Sequence, residues 1–250
     1  MSDPHTLFRA SSLGRLMTAP TAAAAKAGEV LSAGAKTFVR EMVAQAVLGI
    51  DFEVRSRAMD KGLRCEPEAL DLLNRVCGLS LTKNTERVSD GYVTGECDAY
   101  DEARREGYDL KCAWSAATWP LTRQDCVDAV YEWQARAYMR LWDAPRWHVV
   151  YALIDTPEDL IGYEPQSMHF FGHLPDRHRL TIWTIERDAE LEAAIEPKVT
   201  AARAYYRAVL EEFERSRPRS RAQDIAEAAC RTDLVHQQPA GAPPIDNQFA

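Results

Sequence analysis

The sequence predicts a mixed α/β domain: helical periodicity dominates its first third, short segments punctuated by turns fill the middle, and a further helix, two strand-like runs and a long helix follow. With 250 residues and 46% apolar content, the chain has enough material for one sizeable core. No stretch approaches the ~18 uninterrupted apolar residues of a membrane span. The opening MSDPHTLFRASS lacks a basic segment leading into an apolar one. A cytoplasmic protein with no membrane association is the expectation.

Along the chain, Ser11 and Ser12 ahead of Leu13, Leu16 and Met17 predict a short capped helix, and the Ala/Gly-rich run from Ala19 to Gly34 predicts a mobile connection. Phe38, Met42, Val43, Ala46 and Val47 recur at helical spacing, giving a helix over Ala33 to Leu48 closed by Gly49. A second helix is expected over Val54 to Val76, closing at Gly78, with Pro67 either kinking it or opening its second half. From Leu81 to Ala113 the pattern becomes a β-meander: Thr82–Val88, the turn Ser89-Asp90-Gly91, Tyr92–Asp98, a charged loop from Asp101 to Gly107, and Tyr108–Ala113.

Val127, Val130, Tyr131, Gln134 and Tyr138 return to helical spacing within Thr122 to Leu141, and Trp147–Ile154 and Leu180–Ile185 are strand-like. Asp188 to Glu214 reads as one long acidic, alanine-rich helix. A weaker helix over Arg221 to Cys230 and the proline-containing, aperiodic QQPAGAPPIDNQFA complete the chain, so residues 1–216 are expected to form the domain and 217–250 a loose tail.

Cys65, Cys77, Cys97, Cys112, Cys126 and Cys230 are scattered without a CxxC pair, which argues against zinc ribbons, a disulfide scaffold and a four-cysteine iron–sulfur site. His169, His173 and His178 straddle a Gly-Leu-Pro turn and match no zinc motif. A formal net charge of −8 argues against binding nucleic acid by bulk electrostatics. That charge is uneven, however: basic residues outnumber acids over residues 1–64, and much of the acidic excess lies between Glu186 and Glu214.

The chemistry concentrates in TGECDAYDEARREGYDLKCAWS. Alternate residues of a strand share a face, so Asp109 and Lys111 point to one side while Leu110 points into the core and leaves its carbonyl available as a ligand. A hairpin of this length sets Asp98 beside Asp109, and two adjacent carboxylates repel unless a cation lies between them. Such a pair suits a hard divalent ion, Mg²⁺ with Mn²⁺ as a substitute, which takes few carboxylates plus waters and substrate phosphate. No other cofactor is expected. Glu96 falls on the same side as Asp98 if the strand is regular. Ser115, Thr118, Trp114 and Trp119 follow the strand, where a hydroxyl suits phosphate and a ring suits either a base or the core.

An acid at a strand end, a hairpin and Asp-Leu-Lys together resemble the PD-(D/E)XK nuclease superfamily, and within it the phage lambda-type exonucleases and YqaJ-like viral recombinases, close to the RecB nuclease group. The resemblance covers most of residues 7–154. KGLRCEPEAL is similar to the family's G-x-x-x-E-P-x-A segment and implies that Glu66 is a further metal-orienting acid. It places Asp98, Asp109 and Lys111 at the catalytic positions, with Leu110 supplying a carbonyl to the metal. QARAY is similar to a Q-x-x-x-Y element, and RASSLGRLMT to an opening helix, which implies DNA contacts for Gln134, Tyr138 and Ser11 besides Ser115. Cys97 stands where the family pattern has proline, a residue that supplies no ligand.

What the resemblance implies is a restriction-endonuclease-like core, a mixed central sheet flanked by helices, and an enzyme resecting double-stranded DNA ends. Its implied partners are a single-strand annealing protein and two further copies of the chain in a trimeric ring. An endonuclease on the same fold, or a recombination-accessory module that binds DNA without cutting it, remain the alternatives.

Overall fold

The computed structural model describes residues 8–52 and 55–218. A two-residue strand, β1 (Phe8–Arg9), runs straight into α1 (Ala10–Leu16). That helix starts ahead of the expected serine pair: Arg9 is its N-cap, without a side-chain cap, and Ser12 Oγ turns back to the Arg9 carbonyl at 3.0 Å. The Ala19–Gly34 run is more than a connection, because Thr21 caps α2 (Ala22–Lys26) by accepting from the Ala24 N–H, and alanine is the best helix former.

Ser32 and Ser56 cap α3 (Ala33–Leu48) and α4 (Arg57–Cys77), which close at Gly49 and Gly78. Pro67 lies inside α4, and one helix runs through it. Its missing hydrogen bond is outweighed by burial of Cys65, Ala69, Leu70, Leu72 and Leu73 along one face.

The strands expected as one meander belong to two sheets. β2 (Val88–Ser89) and β3 (Val93–Gly95) pair antiparallel, and β1 lies parallel on the other side of β3. The second sheet has the order β4 (Ala99–Asp101), β5 (Glu106–Cys112), β6 (Arg146–Ala152) and β7 (Leu180–Glu186), with β5 and β6 parallel and the other neighbours antiparallel. The expected strand Tyr92–Asp98 is therefore cut after Gly95, and of Thr82–Val88 only a Lys83–Ala99 bridge and the start of β2 remain. Side chains replace the ladder at this break: Tyr138 Oη donates to the Glu96 carbonyl at 3.0 Å, and Asp98 Oδ2 accepts from the Leu110 N–H at 2.6 Å.

Thr122 to Leu141 divides into a 3₁₀ turn (Arg123–Cys126) and α5 (Ala129–Trp142), because Asp128 accepts from the N–H groups of Val130 and Tyr131 and so starts a new helix. A short α6 (Glu158–Ile161) precedes β7. The long acidic helix is likewise two, α7 (Ala189–Ala193) and α8 (Ile195–Arg215), since Pro197 has no N–H for the carbonyl of Ala193. The chain divides into two units, Met1–Val209 and Leu210–Ala250. The helix expected over Arg221 to Cys230 and the final segment lie outside the described residues. Among the described residues, no helix is long and apolar enough to cross a membrane.

β5 and β6 lie at the centre of the architecture. On one face Tyr108, Leu110, Val150 and Ala152 pack with Leu70, Leu72 and Leu73 of α4 into a continuous core. On the other face Trp147, fully buried, packs at a tilt against Tyr138 of α5, with ring centres 5.1 Å apart. Opposite Trp147 in the ladder is Gly107, where a Cβ would come within 2.1 Å of the indole ring. Gly107→Ala should therefore destabilise the protein by about 2–4 kcal/mol, through a forced shift of a buried tryptophan, as read by denaturant unfolding.

Candidate active site

β5 presents its residues alternately. Tyr108 and Leu110 enter the core beneath α4, which turns Asp109 and Lys111 to the opposite face, towards α5. Asp109 is 3% exposed. Its Oδ1 accepts from Gln134 Nε2 at 3.2 Å, and Lys111 Nζ stands 2.7 Å from its Oδ2. Among the described residues no other donor reaches the buried Oδ2, so the Lys111 ammonium is its one polar partner. Lys111 Nζ also lies 4.5 Å from the centre of the Tyr131 ring.

The hairpin register pairs Ala99 with Tyr108, which brings the preceding Asp98 opposite Asp109 as the spacing predicts. Burial first, and the negative charge of Asp109 second, push the Asp98 carboxyl up to about 7, against the lowering effect of the Leu110 N–H and Lys111. Burial alone would lower the Lys111 ammonium, but the charge and hydrogen bonding of Asp109, with smaller contributions from Tyr131 and Asp98, together outweigh it and hold the group above the ordinary lysine value. Lys111 thus stays protonated beside two crowded carboxylates.

Glu66, on α4, is near enough for its charge to add to the rise at Asp98, yet its Oε1 is ion-paired with Lys83. Lys83 also feels Asp98 and Glu96: burial lowers its ammonium, and Glu66, followed by these two acids, raises it above its ordinary value. Nothing in the sequence pattern singled out Lys83, because what brings it to the acids is the isolated bridge to Ala99. Glu96 itself pairs with Arg87 at 3.1 Å.

Of the residues expected at DNA, Ser11 is exposed on α1, whereas Gln134, Tyr138 and Ser115 are buried. Gln134 Nε2 lies 3.2 Å from both Asp109 Oδ1 and Tyr138 Oη, and Tyr138 Oη reaches the Glu96 carbonyl. The pair therefore braces Asp109 against the β3–β4 break. The Ser115 N–H donates to Thr118 Oγ1 in a 3₁₀ turn. Trp114 Nε1 donates to Glu164, which leaves that ring facing protein, and Trp119 packs against Phe171 and Leu153. His169 is buried between Thr156 and Glu164 while His173 and His178 are exposed, so the three histidines do not meet.

Among the described residues, no three His, Cys, Asp or Glu side chains form a ready-made metal cluster. The residues present nonetheless fit a hard divalent ion that keeps most of its waters: two facing carboxylates, one with a buried oxygen that only the Lys111 ammonium approaches, crowded enough to raise a carboxyl to about 7. Burial pushes the thiols of Cys97 and Cys112 up to about 12, which keeps these neighbours of the site protonated and poor ligands.

The chain is similar to the solved structure of a phage related exonuclease from Haemophilus somnus 129PT, at 33% identity and a TM-score of 0.79, over 84% of this chain and 97% of that one. Two structures of an alkaline exonuclease (LHK-Exo) from Laribacter hongkongensis, the second in complex with dAMP, match at 19% and 20% identity with TM-scores of 0.58 and 0.59. Each covers 84% of this chain and 92% of the other, a likeness of fold. No family model matches the sequence, and no curated protein does.

A carboxyl raised on folding favours the native state while protonated, so its contribution is present below pH ~4 and is lost as pH rises towards ~7. In a chelator, Asp98→Asn should therefore gain stability relative to wild type by on the order of 2 kcal/mol between about pH 5 and pH 8. A gap between the two unfolding curves that stays constant over that range would return Asp98 to an ordinary carboxyl.

Proposed function

This chain belongs to the phage-type exonucleases of the PD-(D/E)XK superfamily, and on that premise we propose that it is a Mg²⁺-dependent deoxyribonuclease resecting double-stranded DNA ends. The observation that carries the reading is the facing Asp98–Asp109 pair, Asp109 buried and its Oδ2 approached by the Lys111 ammonium. The dAMP complex of the alkaline exonuclease supports DNA as the substrate class.

Asp98, Asp109 and the Leu110 carbonyl would hold the metal, and Glu66, released by Lys83, would hold it or its waters. When bound, Mg²⁺ supplies Lewis-acid stabilisation of the phosphoryl oxygens and lowers the pKa of water. Lys111, kept protonated by Asp109, suits donation of a hydrogen bond from Nζ to the attacking water and compensation of charge on the phosphoryl group, rather than proton abstraction. Water adds to phosphorus and gives up its proton to solvent, the bond to the leaving sugar oxygen breaks, and that oxygen takes a proton from solvent. Gln134 and Tyr138 hold Asp109 in place throughout. Ser11, exposed on α1, is offered as a phosphate contact and Ser115 as a nearby hydroxyl. The same reading carries a trimeric ring and a single-strand annealing protein that receives the resected strand.

Lys111→Ala and Asp109→Ala should each lower cleavage of linear duplex DNA in Mg²⁺ by about 10²–10⁴-fold, and EDTA should abolish it. Covalently closed circular duplex should be spared. Unchanged cleavage by either variant would remove the mechanism, and a cut circle would make the enzyme an endonuclease.

A further inference from the structure

The geometry assigns Lys61 as a positioning residue: its buried ammonium ties the helix bearing Glu66 to the chain leaving the strand that bears Asp109 and Lys111. Lys61 is 0% exposed, which is exceptional for a lysine. Its Nζ donates to the Ala113 carbonyl at 2.6 Å and the Trp114 carbonyl at 3.1 Å, and lies 5.8 Å from the centre of the Phe171 ring.

These carbonyls follow Lys111 by two and three residues, at the point where β5 has ended and the Ala113 N–H makes a last bond to Ala152. Trp114 O has a second donor in Thr156 Oγ1, at 3.1 Å. Lys61 precedes Glu66 by five residues, about 7–8 Å along α4 at 1.5 Å per residue. Among the described residues, the hydrogen bonds between α4 and the segment from β5 to Trp114 all come from Lys61. The remaining α4–β5 contact is apolar, through Leu70, Leu73, Tyr108 and Leu110, and such contact is non-directional.

Methionine would fill the same space without desolvating a charge. Retaining an ammonium there is explained if the two directed bonds fix where α4 stands along β5, and with it the distance from Glu66 to Asp98 and Asp109.

The inference rests on the nuclease reading, and wild-type protein that neither binds Mg²⁺ nor cuts linear DNA would sink that reading before any variant is compared. Lys61→Met should fold, as judged by circular dichroism. Its kcat on linear duplex should fall about 10-fold or more with KM within about 2-fold, and its Mg²⁺ Kd, from calorimetry on metal-free protein, should rise about 10-fold. Lys61→Arg, which restores charge and donors, should recover most of both losses.

A folded K61M with either kcat or Mg²⁺ Kd within about 2-fold of wild type overturns the inference. So does a K61R as impaired as K61M, since lost packing would then account for the effect. If K61M does not fold, wild type decides: by ¹⁵N NMR the Lys61 ammonium and the Ala113 and Trp114 amides should shift on adding Mg²⁺ and saturate with the calorimetric Kd. Resonances unmoved at saturation overturn it.

Discussion

Two carboxylates held face to face, Asp109 buried and Asp98 half-buried, govern the rest of this structure. Asp98 and Asp109 would each be better solvated apart, and the sheet forces them together because β4 and β5 pair in the register that sets them opposite each other. Every polar group nearby bears on that conflict. The Leu110 N–H and Gln134 Nε2 each take one carboxylate oxygen, and Lys111 supplies a counter-charge at Asp109 Oδ2. A bound cation, as proposed, would relieve that repulsion.

The break between β3 and β4 follows from the same conflict. A continuous strand from Val93 to Asp101 would use the Glu96 carbonyl and the Leu110 N–H in backbone pairing. Here Tyr138 and Asp98 satisfy those groups instead. α5 is thereby fastened to the site from one face and α4 from the other, with the parallel β5–β6 pair between them. Gln134 and Tyr138 thus hold Asp109 from inside the protein, and in the proposed function they would act on the chemistry only through it.

The placing of Asp109 and Lys111 was legible because strand alternation is local: the two share a face in any β5, and Leu110 must face the other way. Asp98 was legible as well, through hairpin length. Glu66 was readable only through its resemblance-bearing segment, since its position depends on how a helix packs on a sheet. Lys61 and Lys83 gave no local signal. One is an interior lysine on a helix that sequence shows only as amphipathic, and the other reaches the acids through a single bridge.

By itself the sequence determined the mixed α/β class, the two helices closing at Gly49 and Gly78, and the facing of Asp98 with Asp109 and Lys111 across a hairpin, all consequences of period and spacing along a few residues. Only the tertiary structure decided that the strands divide between two sheets, that Pro67 does not interrupt α4, that Gln134 and Tyr138 lie inside, and that Lys83 holds Glu66. Each of these depends on burial or on a partner remote in sequence, and neither is written in local periodicity.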